Sequence, residues 1–248
     1  MFDGKRVLIT GANGGIGLAV CESFLQDGAK LVLFFHKNRN GIDDLIKRNP
    51  TLTKNIEAHQ VDLLDHDQVM NSLSMALDVA NIDIFIHSAA LPLEMKGFTN
   101  LEWINFQREI DIQARSFFWI IQRIIPSMKK RKYGKIINVL TSAVIGKPPI
   151  NMSNYLIGKY SLLCLSRSLA VELGRYGITV NCVSPSTVNT PLITNFPKSM
   201  LEITKNQTPL GRLAEAKDVA KTIVFLSSDH SNYITGENII VSGGQTID

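Results

Sequence analysis

The chain has 248 residues, 45% of them in the hydrophobic set, a length that builds one sizeable core and is short for two independent domains. Its net charge of +4 is mild and concentrated in HKNRN (36–40) and KKRK (129–132), not along one helical stripe, which argues against a nucleic-acid-binding module. The three cysteines, Cys21, Cys164 and Cys182, are far apart and set among aliphatic residues, and the five histidines make no metal-ligand spacing; buried thiols are expected, with no disulfide framework and no metal.

Reading from the start, MFDGKRVLIT runs directly into a short apolar strand (6–10) and leaves no room for a secretory signal, so a soluble, cytoplasmic protein is expected. TGANGGIG (10–17) follows that strand and opens a helix over 15–27. In this context Gly11 permits a tight turn, Gly15 lets backbone approach a diphosphate, and Gly17 allows close packing of helix on strand. The second strand, LVLFF (31–35), leads into His36, Lys37 and Arg39, where an NAD-binding chain usually carries an acid for the adenosine ribose. These three side chains could neutralise a ribose 2′-phosphate, the Arg39 guanidinium especially, so NADP is expected over NAD. The third strand, IEAHQV (56–61), is followed by Asp62, and a helix is expected over 65–80.

The fourth strand, IDIFIH (82–87), precedes a long helix over 101–125, which Pro126 is expected to end. Its apolar stretch FFWIIQRIIPSM is interrupted by Gln122 and Arg123 and falls well short of the roughly 20 residues that cross a bilayer. KKRK reads as a solvated helix end before the fifth strand, KIINVL (135–140). A fourth long helix over 153–175, stopping near Gly177, carries Tyr155 and Lys159 one turn apart on a common face. ITVNCV (178–183) and NIIVS (238–242) complete seven strands, with an irregular, proline-containing flap between them over 186–213. Near-continuous apolar strands alternating with helices imply a Rossmann-type, doubly wound parallel α/β sheet with helices on both faces.

TGANGGIG, Asp62, TS (141–142), YLIGK (155–159), ITVNCVSPS (178–186), Thr190 and ITGENIIVSGG (234–244) fall in one order and spacing. Together they make the chain resemble the short-chain dehydrogenase/reductase family over essentially its whole length. The resemblance implies that Tyr155 exchanges a proton with the substrate oxygen, Ser142 hydrogen-bonds that oxygen, and Lys159 holds the nicotinamide ribose and biases Tyr155 toward its anion. A tyrosine titrates near pH 10, so a phenolate near neutrality needs about three units, or about 4 kcal/mol. Charges about 4 Å apart supply ~1 kcal/mol in water but ~4 at an effective dielectric near 20, so the pair works only where water is excluded. The resemblance also places the cofactor against Thr10, Asn13, Gly14 and Ile16 of the first turn. Further along it implies Asp62 and Leu63, then Ser88, Ala89 and Ala90. Beyond the catalytic helix it adds Pro185, Val188 and Thr190.

Departures from the family pattern are HSAA (87–90) for Asn-Asn-Ala-Gly, Ser186 and Ser242 in the last two motifs, and Asp111 where the tetrad asparagine is expected. An ionised carboxylate accepts but cannot donate as an amide does. Within the family the closest likeness is to 3-oxoacyl-carrier-protein reductases, which implies a carrier-bound or small ketone substrate. Arg131 and Arg175 are the expected docking cations for an acidic carrier, and Val144, Ile145, Ile150, Met152 and Leu192 the apolar pocket. Alternatives are a secondary-alcohol dehydrogenase acting on a sugar, steroid or specialised metabolite, and a cofactor-binding scaffold or sensor of weak activity. Family resemblance further implies a homotetramer packed through the helices over 101–125 and 153–175, whose apolar residues include Phe117, Phe118, Trp119, Leu162, Leu163 and Leu165.

Overall fold

Seven apolar runs become seven parallel strands in a computed structural model that describes residues 1–247: β1 (Arg6–Thr10), β2 (Lys30–Phe35), β3 (Ile56–Gln60), β4 (Ile84–His87), β5 (Gly134–Val139), β6 (Ile178–Pro185) and β7 (Asn238–Val241). Their order across the sheet is β3-β2-β1-β4-β5-β6-β7. The order reverses between β1 and β4, and the crevice beyond their carboxyl ends is where a doubly wound sheet binds ligands. β1, β4, β5 and β6 are buried along their whole length, as strands covered on both faces must be. Two apolar clusters result, one on each face: one holds Leu8, Phe85, Phe117, Ile136 and Tyr155, the other Ile9, Phe24, Leu33, Ile86 and Val219.

Eight α-helices cover the sheet: α1 (Gly15–Gln26), α2 (Asn40–Arg48), α3 (His66–Val79), α4 (Trp103–Ile110), α5 (Ser116–Arg131), α6 (Ser153–Leu173), α7 (Lys198–Gln207) and α8 (Ala216–Ser227). Asp65 caps α3, its carboxylate accepting from the Asp67 and Gln68 amides. Among the described residues no helix is long and apolar enough to cross a membrane.

Several expectations are corrected. The helix expected over 101–125 is two helices joined by a π-helical turn, Asp111–Arg115. Pro126 does not end it: α5 continues to Arg131. Both Pro126 and Gln122, whose carbonyl loses its helical donor, face solvent, where water replaces the missing bond. The helix stops instead at Lys132, in the left-handed region at φ 51°, so KKRK does form a solvated helix end. α2, α7 and α8 were not expected. The flap over 186–213 contains α7, and its two ends are joined where Asn189 donates to the Ala214 carbonyl at 2.9 Å and Ala214 to that of Thr187 at 3.2 Å. Cys21 and Cys182 are buried thiols, but Cys164 is exposed on the outer face of α6.

Candidate active site

The glycine-rich turn leaves β1 at Gly11, which adopts φ +65°; a Cβ there would stand 2.7 Å from the Ser88 carbonyl oxygen and the Ala89 Cα. The turn therefore lies directly against the end of β4. Gly17 meets the Gly11 carbonyl oxygen, where a Cβ would come within 2.2 Å, and Gly15 faces Thr190, where one would come within 2.5 Å of Cγ2. No side chain caps α1 and no acid occupies its first turn, so the amides of Gly15, Ile16 and Gly17 keep the positive end of the helix available to an anion. These features fit the diphosphate of a dinucleotide. Asn13 is used elsewhere: its Oδ1 accepts from the Ile42 amide at 3.2 Å and ties the turn to α2. Thr10 is fully buried, and its hydroxyl pairs with His87 Nδ1 at 2.9 Å; its side chain faces the interior, not the crevice.

His36, Lys37 and Arg39 are all exposed beyond β2. His36 Nε2 lies 3.7 Å from Asp62 Oδ2, and Arg39 Nε pairs with Asp43 at 2.8 Å. Asp62 also closes the turn after β3, accepting from the Leu64 amide at 3.0 Å, while Leu63 is buried in the core. Beyond β6, Pro185 and Val188 are buried and Thr190 sits over Gly15. Ala90 is exposed at the rim of the crevice. The serine that departs from the family pattern at 242 is engaged locally, donating to the Thr246 carbonyl at 3.0 Å.

At the carboxyl end of β5 the hydroxyl that meets the Tyr155 phenol is that of Thr141, not Ser142. β5 ends at Val139; Thr141 caps the short 3-10 turn Ser142–Val144 that follows, its Oγ1 accepting from the Ala143 amide at 3.3 Å. Counting back thirteen residues from Tyr155 selects Ser142; counting forward from the strand end selects Thr141. Burial pushes the Tyr155 phenol up, the Thr141 hydroxyl opposes that shift, and Glu109 adds to it.

Lys159 is 3% exposed. Its Nζ donates to the Val139 carbonyl at 2.8 Å and to Gln113 Oε1 at 3.1 Å, and it lies 5.8 Å from the Tyr155 ring centroid. Two of its three N–H bonds are thus fixed by the fold and one remains for the crevice. Burial lowers the ammonium to about 8, against the opposing pull of Glu109.

The side chain of this segment that reaches Lys159 is that of Gln113, not Asp111. Its Nε2 also donates to the Ala89 carbonyl at 3.1 Å, so one amide joins the floor of the crevice to Lys159. A carboxylate cannot serve both contacts, because it has nothing to donate. Asp111 instead pairs with Arg115 at 3.0 Å and accepts from Gln107 at 2.9 Å. His87, which stands in place of an asparagine, is fully buried, with its Nε2 unpartnered; burial, reinforced by the charge of Lys159, lowers it to about 3. Thr141, Gln113 and the buried Glu109 were not foreseen, and the signal for the first two lay in counting from element ends.

A family model described as enoyl-(acyl carrier protein) reductase matches residues 11–246. The chain belongs to the short-chain dehydrogenase/reductase family. It is 32% identical over 244 residues to the 3-oxoacyl-[acyl-carrier-protein] reductase FabG of Buchnera aphidicola subsp. Schizaphis graminum, covering 97% of this chain and 96% of that one. It is 29% identical to the (2S)-[(R)-hydroxy(phenyl)methyl]succinyl-CoA dehydrogenase subunit BbsD of Thauera aromatica, covering 98% and 97%. Among solved structures it resembles a 3-ketoacyl-(acyl-carrier-protein) reductase from Brucella melitensis complexed with NADH, with a TM-score of 0.90, 27% identity and 99% coverage of each chain. As a short-chain dehydrogenase/reductase the protein is an oxidoreductase that works with a nicotinamide cofactor.

Proposed function

We propose that this short-chain dehydrogenase/reductase is an NADP(H)-dependent ketoreductase that converts a 3-oxoacyl group, carried on an acyl-carrier protein, to the secondary alcohol. The observation that carries the reading is the trio at the crevice: the half-buried Thr141 hydroxyl beside the buried Tyr155 phenol, with the buried Lys159 ammonium one helical turn away. The bound cofactor supplies hydride. Tyr155 donates its proton to the substrate oxygen, and Thr141 hydrogen-bonds the same oxygen. The Lys159 charge favours the phenolate left behind, an effect that grows as substrate closes the crevice to water.

NADP preference is supported by Lys37 and Arg39, with His36 beside them, beyond β2 and by the lack of a carboxylate within HKNRN (36–40). The relatives named as acyl-carrier-protein reductases support the substrate class. Of the two docking arginines, Arg131 is held by Asp83 and donates to the Ile82 carbonyl at 2.6 Å. That leaves Arg175, which is exposed against Tyr176, as the contact for an acidic carrier. Of the apolar pocket residues, Val144 and Met152 are buried in the same cluster as Tyr155, whereas Ile150 and Leu192 are exposed.

The test compares wild type with Tyr155→Phe on acetoacetyl-carrier protein, with each cofactor in turn. Turnover is expected to fall by at least about 10²-fold in the variant while NADPH still raises its melting temperature. A variant with near-normal kcat refutes the catalytic assignment, and equal kcat/KM for NADH and NADPH refutes the cofactor preference.

A further inference from the structure

α2 begins just beyond the polar stretch that follows β2, and its first residues are docked on the glycine-rich turn. Asn13 of the turn accepts from the Ile42 amide at 3.2 Å through Oδ1, and Ile42 and Leu45 anchor the helix in the core. Gly41 makes the close approach possible: a Cβ there would stand 2.4 Å from Leu18 Cδ1 on α1 and 2.9 Å from Asn13 Oδ1. Leu18 can turn away from such a group, whereas the Asn13 oxygen can retreat only by loosening its bond to Ile42.

Arg39 stands at the N-cap of this docked helix. Its Nε donates to Asp43 Oδ1, one turn on, at 2.8 Å, and its side chain makes no other hydrogen bond among the described residues. The guanidinium is thus held at one edge, with the terminal N–H groups on Nη1 and Nη2 left free. A phosphate is met by such a fork through paired N–H···O bonds, which a lysine cannot offer. The Arg39 and Asp43 side chains are 46% and 45% exposed, so water screens the pair and it contributes direction more than affinity.

We propose that Asn13, Gly41 and Asp43 are positioning residues for recognition of the cofactor's ribose 2′-phosphate. Asn13 and Gly41 set the start of α2 against the glycine-rich turn, and Asp43 turns the Arg39 guanidinium so that its terminal fork stays open to the phosphate. The proposal rests on the NADP reading above. In a doubly wound sheet the turn after the first strand takes the diphosphate, and residues beyond the second strand meet the adenosine ribose. Docking α2 on that turn therefore fixes Arg39 relative to the element that holds the diphosphate. Asp43 also carries a charge of the same sign as the phosphate. Its two effects are separable, because an asparagine keeps an acceptor for Nε and drops the charge.

The experiment measures by titration calorimetry the affinities of adenosine 2′,5′-bisphosphate and adenosine 5′-monophosphate, which differ only in the 2′-phosphate. The proteins are wild type, Arg39→Ala, Asn13→Ala, Gly41→Ala, Asp43→Ala and Asp43→Asn, and kcat/KM for NADPH and NADH is taken in parallel. Wild type is expected to prefer the bisphosphate, and Arg39→Ala to lose at least about tenfold of that preference. Asn13→Ala and Gly41→Ala are expected to lose about threefold and Asp43→Ala about twofold, with Asp43→Asn close to wild type. A wild-type preference in Asn13→Ala, Gly41→Ala and Asp43→Ala, while Arg39→Ala loses its own, overturns the inference and leaves the cofactor reading intact. Equal weakening of both nucleotides in Asn13→Ala and Gly41→Ala also overturns it, since the docking then serves the turn alone. A preference that rises in both Asp43 variants assigns the carboxylate to repulsion and overturns its positioning role. A wild type that binds the two nucleotides equally, or an Arg39→Ala that keeps the preference, overturns the NADP reading itself.

Discussion

Thr141 and Ser142 are adjacent hydroxyls of which one faces the Tyr155 phenol, and the difference is measurable. Removing an oxyanion donor costs about 10²–10³ in kcat. Thr141→Ala is expected to show such a loss and Ser142→Ala to stay close to wild type in a steady-state assay; the reverse order would restore Ser142 to the role. His87 makes a separate prediction about acid stability. Its folded value of about 3 lies below the ordinary 6.5, so between those values the unfolded chain binds a proton that the folded chain does not. Stability therefore falls as pH drops through that window, by up to about 5 kcal/mol across all of it. Urea titrations at pH 6.5 and 4.5 are expected to show a smaller loss for His87→Asn than for wild type. Equal losses would remove His87 from the acid response.

Helices α4 and α6 approach closely because Gly158 has no side chain at the seam. Gly158→Ala forces the backbones apart, and overpacking of this kind costs about 1–3 kcal/mol. A lowered urea midpoint with an unchanged m-value is expected, and an unmoved midpoint would show that the seam yields without cost. The π-helical turn Asp111–Arg115 sits beside the same seam and brings Gln113 to Lys159 and Ala89. Helical periodicity read along the sequence treats 101–125 as one element and cannot register the extra residue of a π turn. For that reason the sequence pointed to Asp111, two residues before the amide that bonds Lys159, while the helix carrying Tyr155 and Lys159 was legible. α2, α7 and α8 escaped notice because each is short or follows a stretch rich in polar and turn-forming residues.

Across the whole molecule, the exposed apolar side chains include Trp103 and Ile104 on α4, Phe118 on α5, and Ile157, Tyr160 and Val171 on α6. Phe117 and Leu162, expected to contribute to assembly, are fully buried within the chain, so the sheet claims part of the coverage that the sequence offered to partners. The remaining apolar faces support the expectation of a homotetramer. Light scattering coupled to size exclusion is expected to give four times the 27.5 kDa chain mass, with Val171→Glu and Phe118→Glu reducing it. A monomer at micromolar concentration would refute the assembly.

The order of apolar runs, the glycine-rich turn after β1 and the pairing of Tyr155 with Lys159 were determined by sequence alone, because each depends on local periodicity or on a fixed spacing within one element. Which hydroxyl faces the phenol, which amide holds the lysine, and the burial that moves Lys159 and His87 away from their ordinary titration ranges were decided only by tertiary structure. Those properties depend on where separate elements end and how tightly they pack, distances that no spacing along the chain encodes.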